Sequence, residues 1–241
     1  LVLEAPTGSG KTFSSLAAAL PFIEKSDIKI VYCVRTNSQQ KQVIHELQQF
    51  KKSGNKIKAV AIQGREALCP QQKYDNELKK SNWSEKSKIC KSLKSKSKLG
   101  AKGCSFYSEL LRGGDSLTAK WSSEILTAQD FSKQAEEEGV CPYELNKLML
   151  KEAQVVIVPY VYFFDEFIRN YMLGWMVTSI DKVIAIIDEA HNYRNPDTKN
   201  AAVLRELLRQ RKKLILLTAT PVNNSIMDLY VLYSYFLKQD A

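Results

Sequence analysis

Six short apolar runs recur along the chain, and they are mostly continuous rather than alternating: LVL (1–3), IKIVYCV (28–34), IKAVAI (57–62), QVVIVP (154–159), VIAIID (183–188) and LILLT (214–218). Short β-branched runs of this kind predict strands covered on both faces, the condition of a parallel sheet. Between some of them lie TFSSLAAAL, SQQKQVIHELQQF and NAAVLRELLRQ, with apolar residues at helical spacing. Strand, helix and strand in repetition predict an α/β fold built on a parallel sheet.

From Gly64 to Tyr143 this rhythm breaks. The sequence there turns polar, rich in Lys and Ser, and carries cysteines, which predicts an insertion at 64–143 in a sheet domain formed by 1–63 and 144–241. So polar a segment predicts a poor apolar core of its own. Pro159 interrupts AQVVIVPYVYFF, and no stretch reaches the roughly 18 uncharged apolar residues of a membrane span. Leu1 opens on an apolar run without Met or a basic leader, so no targeting peptide is expected and the chain reads as cut at its front.

Charge sharpens the reading of the insertion. The 241 residues carry a net charge of +9, and Lys79 to Lys102 alone holds nine Lys against one acid, Glu85. Such a run suits a polyanion such as nucleic acid, or is a solvated lysine-rich loop.

Two motifs carry chemistry. In LVLEAPTGSGKTF, Gly8, Ser9, Gly10, Lys11 and Thr12 follow a strand and precede a helix. Glycines let backbone N–H groups curl around phosphate oxygens, Lys11 reaches the outer phosphates of ATP, and the Thr12 hydroxyl can hold Mg2+. Ala5 stands where the strict pattern has its first glycine. The second motif, Asp188-Glu189-Ala190-His191, follows VIAII. It therefore falls at the carboxyl end of a parallel sheet, where such folds bind ligands. Asp188 is expected to hold Mg2+ through water, and Glu189 to orient or deprotonate the attacking water.

Cys69, Cys90, Cys104 and Cys141 share the insertion, separated by 20, 13 and 36 residues. Spacing alone leaves packing, a tetrahedral zinc and an iron-sulfur cluster open. Cys33 lies within a strand run and is expected only to pack. Wide spacing in a chain of this size fits a reducing compartment: the cytosol, or the nucleus of a eukaryote.

LEAPTGSGKT, RTNSQQKQVIHEL, GREALC, CPYE, VVIVPYVYFF and IIDEAHN occur in the order found in XPD-type iron-sulfur DNA helicases, and residues 1 to about 192 resemble that family. The resemblance implies a RecA-like motor domain with a 4Fe-4S cluster held by Cys69, Cys90, Cys104 and Cys141. It also implies unwinding of single-stranded or forked DNA from 5' to 3' at the expense of ATP, in repair or transcription. By the same resemblance, Arg35 and Thr36 would lie on the DNA backbone, an adenine-reading glutamine motif would precede Leu1, and a second motor domain with an arginine finger would follow Ala241.

From Tyr193 onward, YRNPDTKNAAVLRELLRQRKKLILLTATPVNNS resembles Swi/Snf-type DNA translocases instead. Thr218 and Thr220 of TATP would then couple nucleotide state to the DNA face. Only 29 residues separate Asp188 from Thr218, too few for the arch domain of the first family. Two alternatives therefore stand beside a helicase: a double-strand translocase, and a nucleic-acid-binding fragment with an inert motor.

Overall fold

The computed structural model describes residues 8–24, 26–209, 213–221 and 225–236. The run at 1–3 lies outside them. In chain order the main elements are α1 (Lys11–Glu24), β1 (Lys29–Val34), α2 (Asn37–Lys52), β2 (Ala59–Ala61), α3 (Arg65–Leu68), α4 (Asn76–Lys80), α5 (Trp83–Lys98), α6 (Ser105–Trp121), α7 (Ala128–Glu137) and α8 (Pro142–Met149). They continue with β3 (Val155–Pro159), α9 (Val161–Phe164), α10 (Glu166–Met176), β4 (Val183–Ile187), α11 (Lys199–Arg209), β5 (Lys213–Leu216) and α12 (Ile226–Ser234). The chain divides into two compact units, one of residues 1–57 with 154–241, the other of residues 58–153.

The first unit has the parallel α/β architecture that the apolar runs predict. Its strands lie in the order β3-β1-β4-β5, every neighbouring pair parallel. In register, Tyr32 faces Ile157 on one side and Ile186 on the other, and Ile186 pairs with Ile215. β1 and β4 are buried along their whole length, which explains why they read as unbroken apolar runs. α2 buries Val43, Ile44 and Leu47, at the spacing of one helical face. Its start is a capping box: Thr36 accepts from the Gln39 N–H while the Gln39 side chain accepts from the Thr36 N–H. β1, β3, β4 and β5 all run the same way, so their carboxyl ends share one edge of the sheet.

The second unit is helical and extends further at both ends than the polar stretch 64–143. It has an apolar core of its own, with Leu78, Tyr107, Leu110, Trp121, Phe131, Ala135 and Leu145 all buried. This corrects the expectation of a core-poor insertion. α7 buries Ala128, Phe131 and Ala135 and α8 buries Leu145 and Met149, each at the spacing of one helical face among polar residues. Glu144 of α8 binds Lys94 of α5 at 2.8 Å and Lys147 at 3.2 Å, which ties two helices together. Lys94 is thus committed internally rather than offered to a polyanion.

Candidate nucleotide site and cysteine centre

The nucleotide site grows from the amino end of α1 and the carboxyl ends of β1, β4 and β5. Gly8 and Gly10 have φ of 80° and 76°, left-handed values at which a Cβ is strained. They curl the chain into α1, whose first turn closes with Ser14 N–H on the Gly10 carbonyl at 2.8 Å. Lys11 and Thr12 open that helix, whose amino-terminal N–H groups and dipole favour an anion. Ala5 lies outside the described residues.

Asp188 follows β4 and is anchored by its N–H on the Cys33 carbonyl at 3.1 Å. Burial raises its pKa, and the neighbouring Glu189 charge adds to the rise. The Glu189 N–H, Lys11 and His191 act in the opposite direction. Lys11 and Asp188, far apart in sequence, therefore feel each other across the end of the sheet. The buried Tyr32 hydroxyl of β1 lies beside the Thr12 and Ser15 side chains, and burial followed by the Asp188 charge pushes its pKa up. Thr12 and Asp188, which both act on it, are hard oxygen donors of the kind that suit Mg2+.

Glu189 stands at φ 52° and ψ 45°, a left-handed conformation that costs a non-glycine residue about 1 kcal/mol or more. Its surroundings determine it. Asp188 Oδ1 accepts the Glu189 N–H at 2.9 Å, and Asn192 Nδ2 donates to the Glu189 carbonyl at 2.8 Å. Oε1 accepts from Gln39 Nε2 at 3.2 Å, and Oε2 lies 3.2 Å from His191 Nδ1. The Tyr160 hydroxyl donates to the Asp188 carbonyl.

The strand end of β5 joins this group. Ala190 N–H donates to the Leu217 carbonyl at 2.7 Å, and Thr218 Oγ1 lies 3.4 Å from His191 Nδ1. Thr218 Oγ1 also accepts the Thr220 N–H at 3.1 Å. Arg35 and Thr36 are exposed beyond β1, but the Thr36 hydroxyl is already engaged with Gln39 in the helix cap. Sequence patterns alone do not single out Gln39, His191, Tyr160 or Asn192. The Thr-x-x-Gln spacing of Thr36 and Gln39 is the readable signal for the first of them.

All four insertion cysteines are free thiols in the second unit. Cys69 precedes Pro70 at the start of a short 3-10 helix, Cys104 caps α6, Cys141 caps α8, and Cys90 lies within α5. Burial raises the Cys69 and Cys104 thiols and pushes Cys141 up to about 12, while backbone N–H groups of the following turns pull all three down. Helix amino ends of this sort favour thiolate. The thiols lie in one another's field, since Cys90 acts on both Cys69 and Cys104, and Cys104 and Cys69 act on Cys141.

Local contacts fix the Cys104 and Cys141 positions. Cys141 N–H donates to the Phe106 carbonyl at 2.9 Å, and Ser97 Oγ donates to the Cys104 carbonyl at 3.2 Å. A Cβ on Gly103 would meet Ser97 Oγ at 2.3 Å and the Leu93 carbonyl oxygen at 2.4 Å, so only glycine lets the start of α6 approach α5 this closely. Among the described residues, no group of three or more His, Cys, Asp or Glu is drawn together as a metal-binding set. The donor chemistry and the glycine-dependent approach still fit a thiolate-bound group.

Comparison with known proteins places this geometry in a family. The DEAD_2 profile matches residues 32–204 and so extends beyond Asn192, where the resemblance read from sequence stops. The chain is 29% identical over 237 residues to "Regulator of telomere elongation helicase 1 homolog" of Caenorhabditis briggsae, covering 83% of this chain and 22% of that protein. It is 31% identical over 183 residues to "Regulator of telomere elongation helicase 1" of Homo sapiens, covering 74% of this chain and 13% of that protein. The chain thus spans under a quarter of these relatives' length. A solved structure titled "XPD_Helicase" superposes with a TM-score of 0.47 at 20% identity, over 86% of this chain and 33% of that one. With its profile matched over most of its length, the chain belongs to the DEAD_2 family.

Proposed function

We propose that this chain is the first motor part of an ATP-dependent DNA helicase that moves 5' to 3' on single-stranded or forked DNA, working in the cytosol or nucleus. The observation that carries the reading is the meeting, in one unit, of the Gly8-Ser9-Gly10-Lys11-Thr12 turn with Asp188-Glu189, near enough for Lys11 to act on Asp188. Relatives whose names include "helicase" support it.

In this reading the N–H groups of the glycine turn and α1 cradle the ATP phosphates, and Lys11 neutralises the outer ones. Thr12 and Asp188 would hold Mg2+, which supplies charge neutralisation on the phosphates. Glu189 orients the water that attacks the terminal phosphorus and accepts its proton as ADP departs. Thr218, through His191, and Thr220 carry the change in nucleotide state away from the site. Arg35 contacts the DNA backbone, and Thr36 shapes the turn beside it.

Cys69, Cys90, Cys104 and Cys141 would hold a 4Fe-4S cluster, supported by the mutual field of the four thiols and the clearance at Gly103. When bound, the cluster supplies iron–thiolate bonds that staple four helix segments of the second unit. To hold it, the four cysteines would act as thiolates.

The test is a comparison of Lys11→Ala with Glu189→Gln in the full-length protein that carries this chain. Lys11→Ala is expected to lose nucleotide affinity, whereas Glu189→Gln retains affinity and loses turnover by about a hundredfold or more. Equal loss of affinity in the two variants would refute the assignment of roles.

A further inference from the structure

Gln39 links the exposed Arg35–Thr36 turn directly to Glu189. Its Oε1 accepts the N–H groups of Arg35 and Thr36, each at 3.0 Å, and its Nε2 donates to Glu189 Oε1 at 3.2 Å. The amide orientation is set by its partners, because backbone N–H groups only donate and a carboxylate only accepts. One planar group therefore spans from the backbone of the β1–α2 turn to the carboxylate after β4. No other residue is needed in between.

Two features make this contact more than a helix cap. A cap requires only the acceptor oxygen, so the Nε2 donor is surplus to it. Glu189 is also held in a left-handed backbone conformation, with each carboxylate oxygen met by a different side chain: Gln39 on one and His191 on the other. Any displacement of the Arg35–Thr36 turn is carried by the amide to one oxygen of that carboxylate. The His191 side is in turn linked to Thr218.

We propose that Gln39 is the positioning residue by which DNA held at the Arg35–Thr36 turn sets the alignment of Glu189, so that DNA occupancy and ATP turnover are coupled through its amide. This rests on the reading of Glu189 as the group that orients the attacking water. Coupling between ligands is reciprocal in binding. A nucleotide that moves Glu189 therefore changes the affinity of the turn for DNA through the same contact.

The discriminating variant is Gln39→Glu. A carboxylate retains the acceptor, and Thr-x-x-Glu is itself a capping box, so α2 keeps its cap. The donor to Glu189 is lost and a second carboxylate stands in its place.

In the full-length protein, ATP turnover is measured with and without an unstructured thymidine oligonucleotide. The expected result is a DNA stimulation ratio about tenfold below wild type, with the melting temperature unaltered. A stimulation ratio equal to wild type would overturn the proposal. So would a loss that tracks a lowered melting temperature, since that marks a merely structural cap. Glu189→Gln is run in parallel. If it hydrolyses ATP at the wild-type rate, the Glu189 reading and this one fall together. If it is inactive while Gln39→Glu responds to DNA as wild type does, the coupling role alone is refuted.

Discussion

Gly103 shows how much a single position can decide. It has no φ requirement, yet an added Cβ would lie 2.6 Å from the Ser97 nitrogen and closer still to two oxygens, all on α5. Gly103→Ala should push the start of α6 off α5 and destabilise the second unit by about 1–3 kcal/mol. If the four cysteines hold the proposed cluster, it should also deplete protein-bound iron. Gly113→Ala, inside α6 with its nearest contact at 3.8 Å, should leave iron content alone and be neutral or stabilising by up to about 1 kcal/mol. Thermal unfolding and iron analysis on the pair check this, and equal behaviour of the two would contradict it. Neither glycine's role is legible in the sequence, because what separates them is packing between two helices rather than a local pattern. Gly8 and Gly10 are legible, because their positive φ belongs to a local turn with a local signature.

At the scale of elements, β1 and β4 are readable because burial on both faces removes polar residues altogether. The helices of the second unit are not, since their apolar faces are one side of strongly polar sequences. α5 illustrates the two sides. Its inner side carries Lys94, 22% exposed, bound to Glu144, 13% exposed. Its exposed lysines are Lys88, Lys91, Lys96 and Lys98. If the exposed side meets single-stranded DNA, replacing these four together should flatten the slope of log affinity against log salt by about 0.7 for each phosphate no longer neutralised. An unaltered slope would make the side a solvated one. Tyr107, near these lysines in sequence, is 8% exposed and packs in the core.

The inner side has its own prediction. Burial alone would raise Glu144, but Lys147 and Lys94 outweigh it and hold the carboxyl below its ordinary value. A depressed folded-state pKa contributes stability above the unfolded value, and that stability is lost as pH falls through the folded one. Glu144→Gln should therefore cost about 2 kcal/mol near neutrality, by leaving two half-buried ammonium groups without their partner. The gap between variant and wild type should close below about pH 4, as Glu144 itself takes up a proton. Melting temperatures measured against pH would show this convergence. A gap that persists into acid would place the stabilisation elsewhere.

On the scale of the whole molecule, the sheet unit and the helical unit carry different chemistry, and the family profile runs through both. A phosphate turn, a strand-end carboxylate pair and four thiols are legible because each is a local pattern of residue types. The link from Gln39 to Glu189 is not, because it joins residues 150 positions apart across the end of a sheet. If these parts form a DNA-driven motor, strand separation shows it most directly. Full-length protein, ATP and Mg2+ are given forked duplexes with a 5' or a 3' single-stranded tail. Displacement from the 5'-tailed fork is expected, and none by the Glu189→Gln variant. ATP turnover stimulated by duplex DNA, with neither fork opened, would contradict the helicase reading and indicate a translocase.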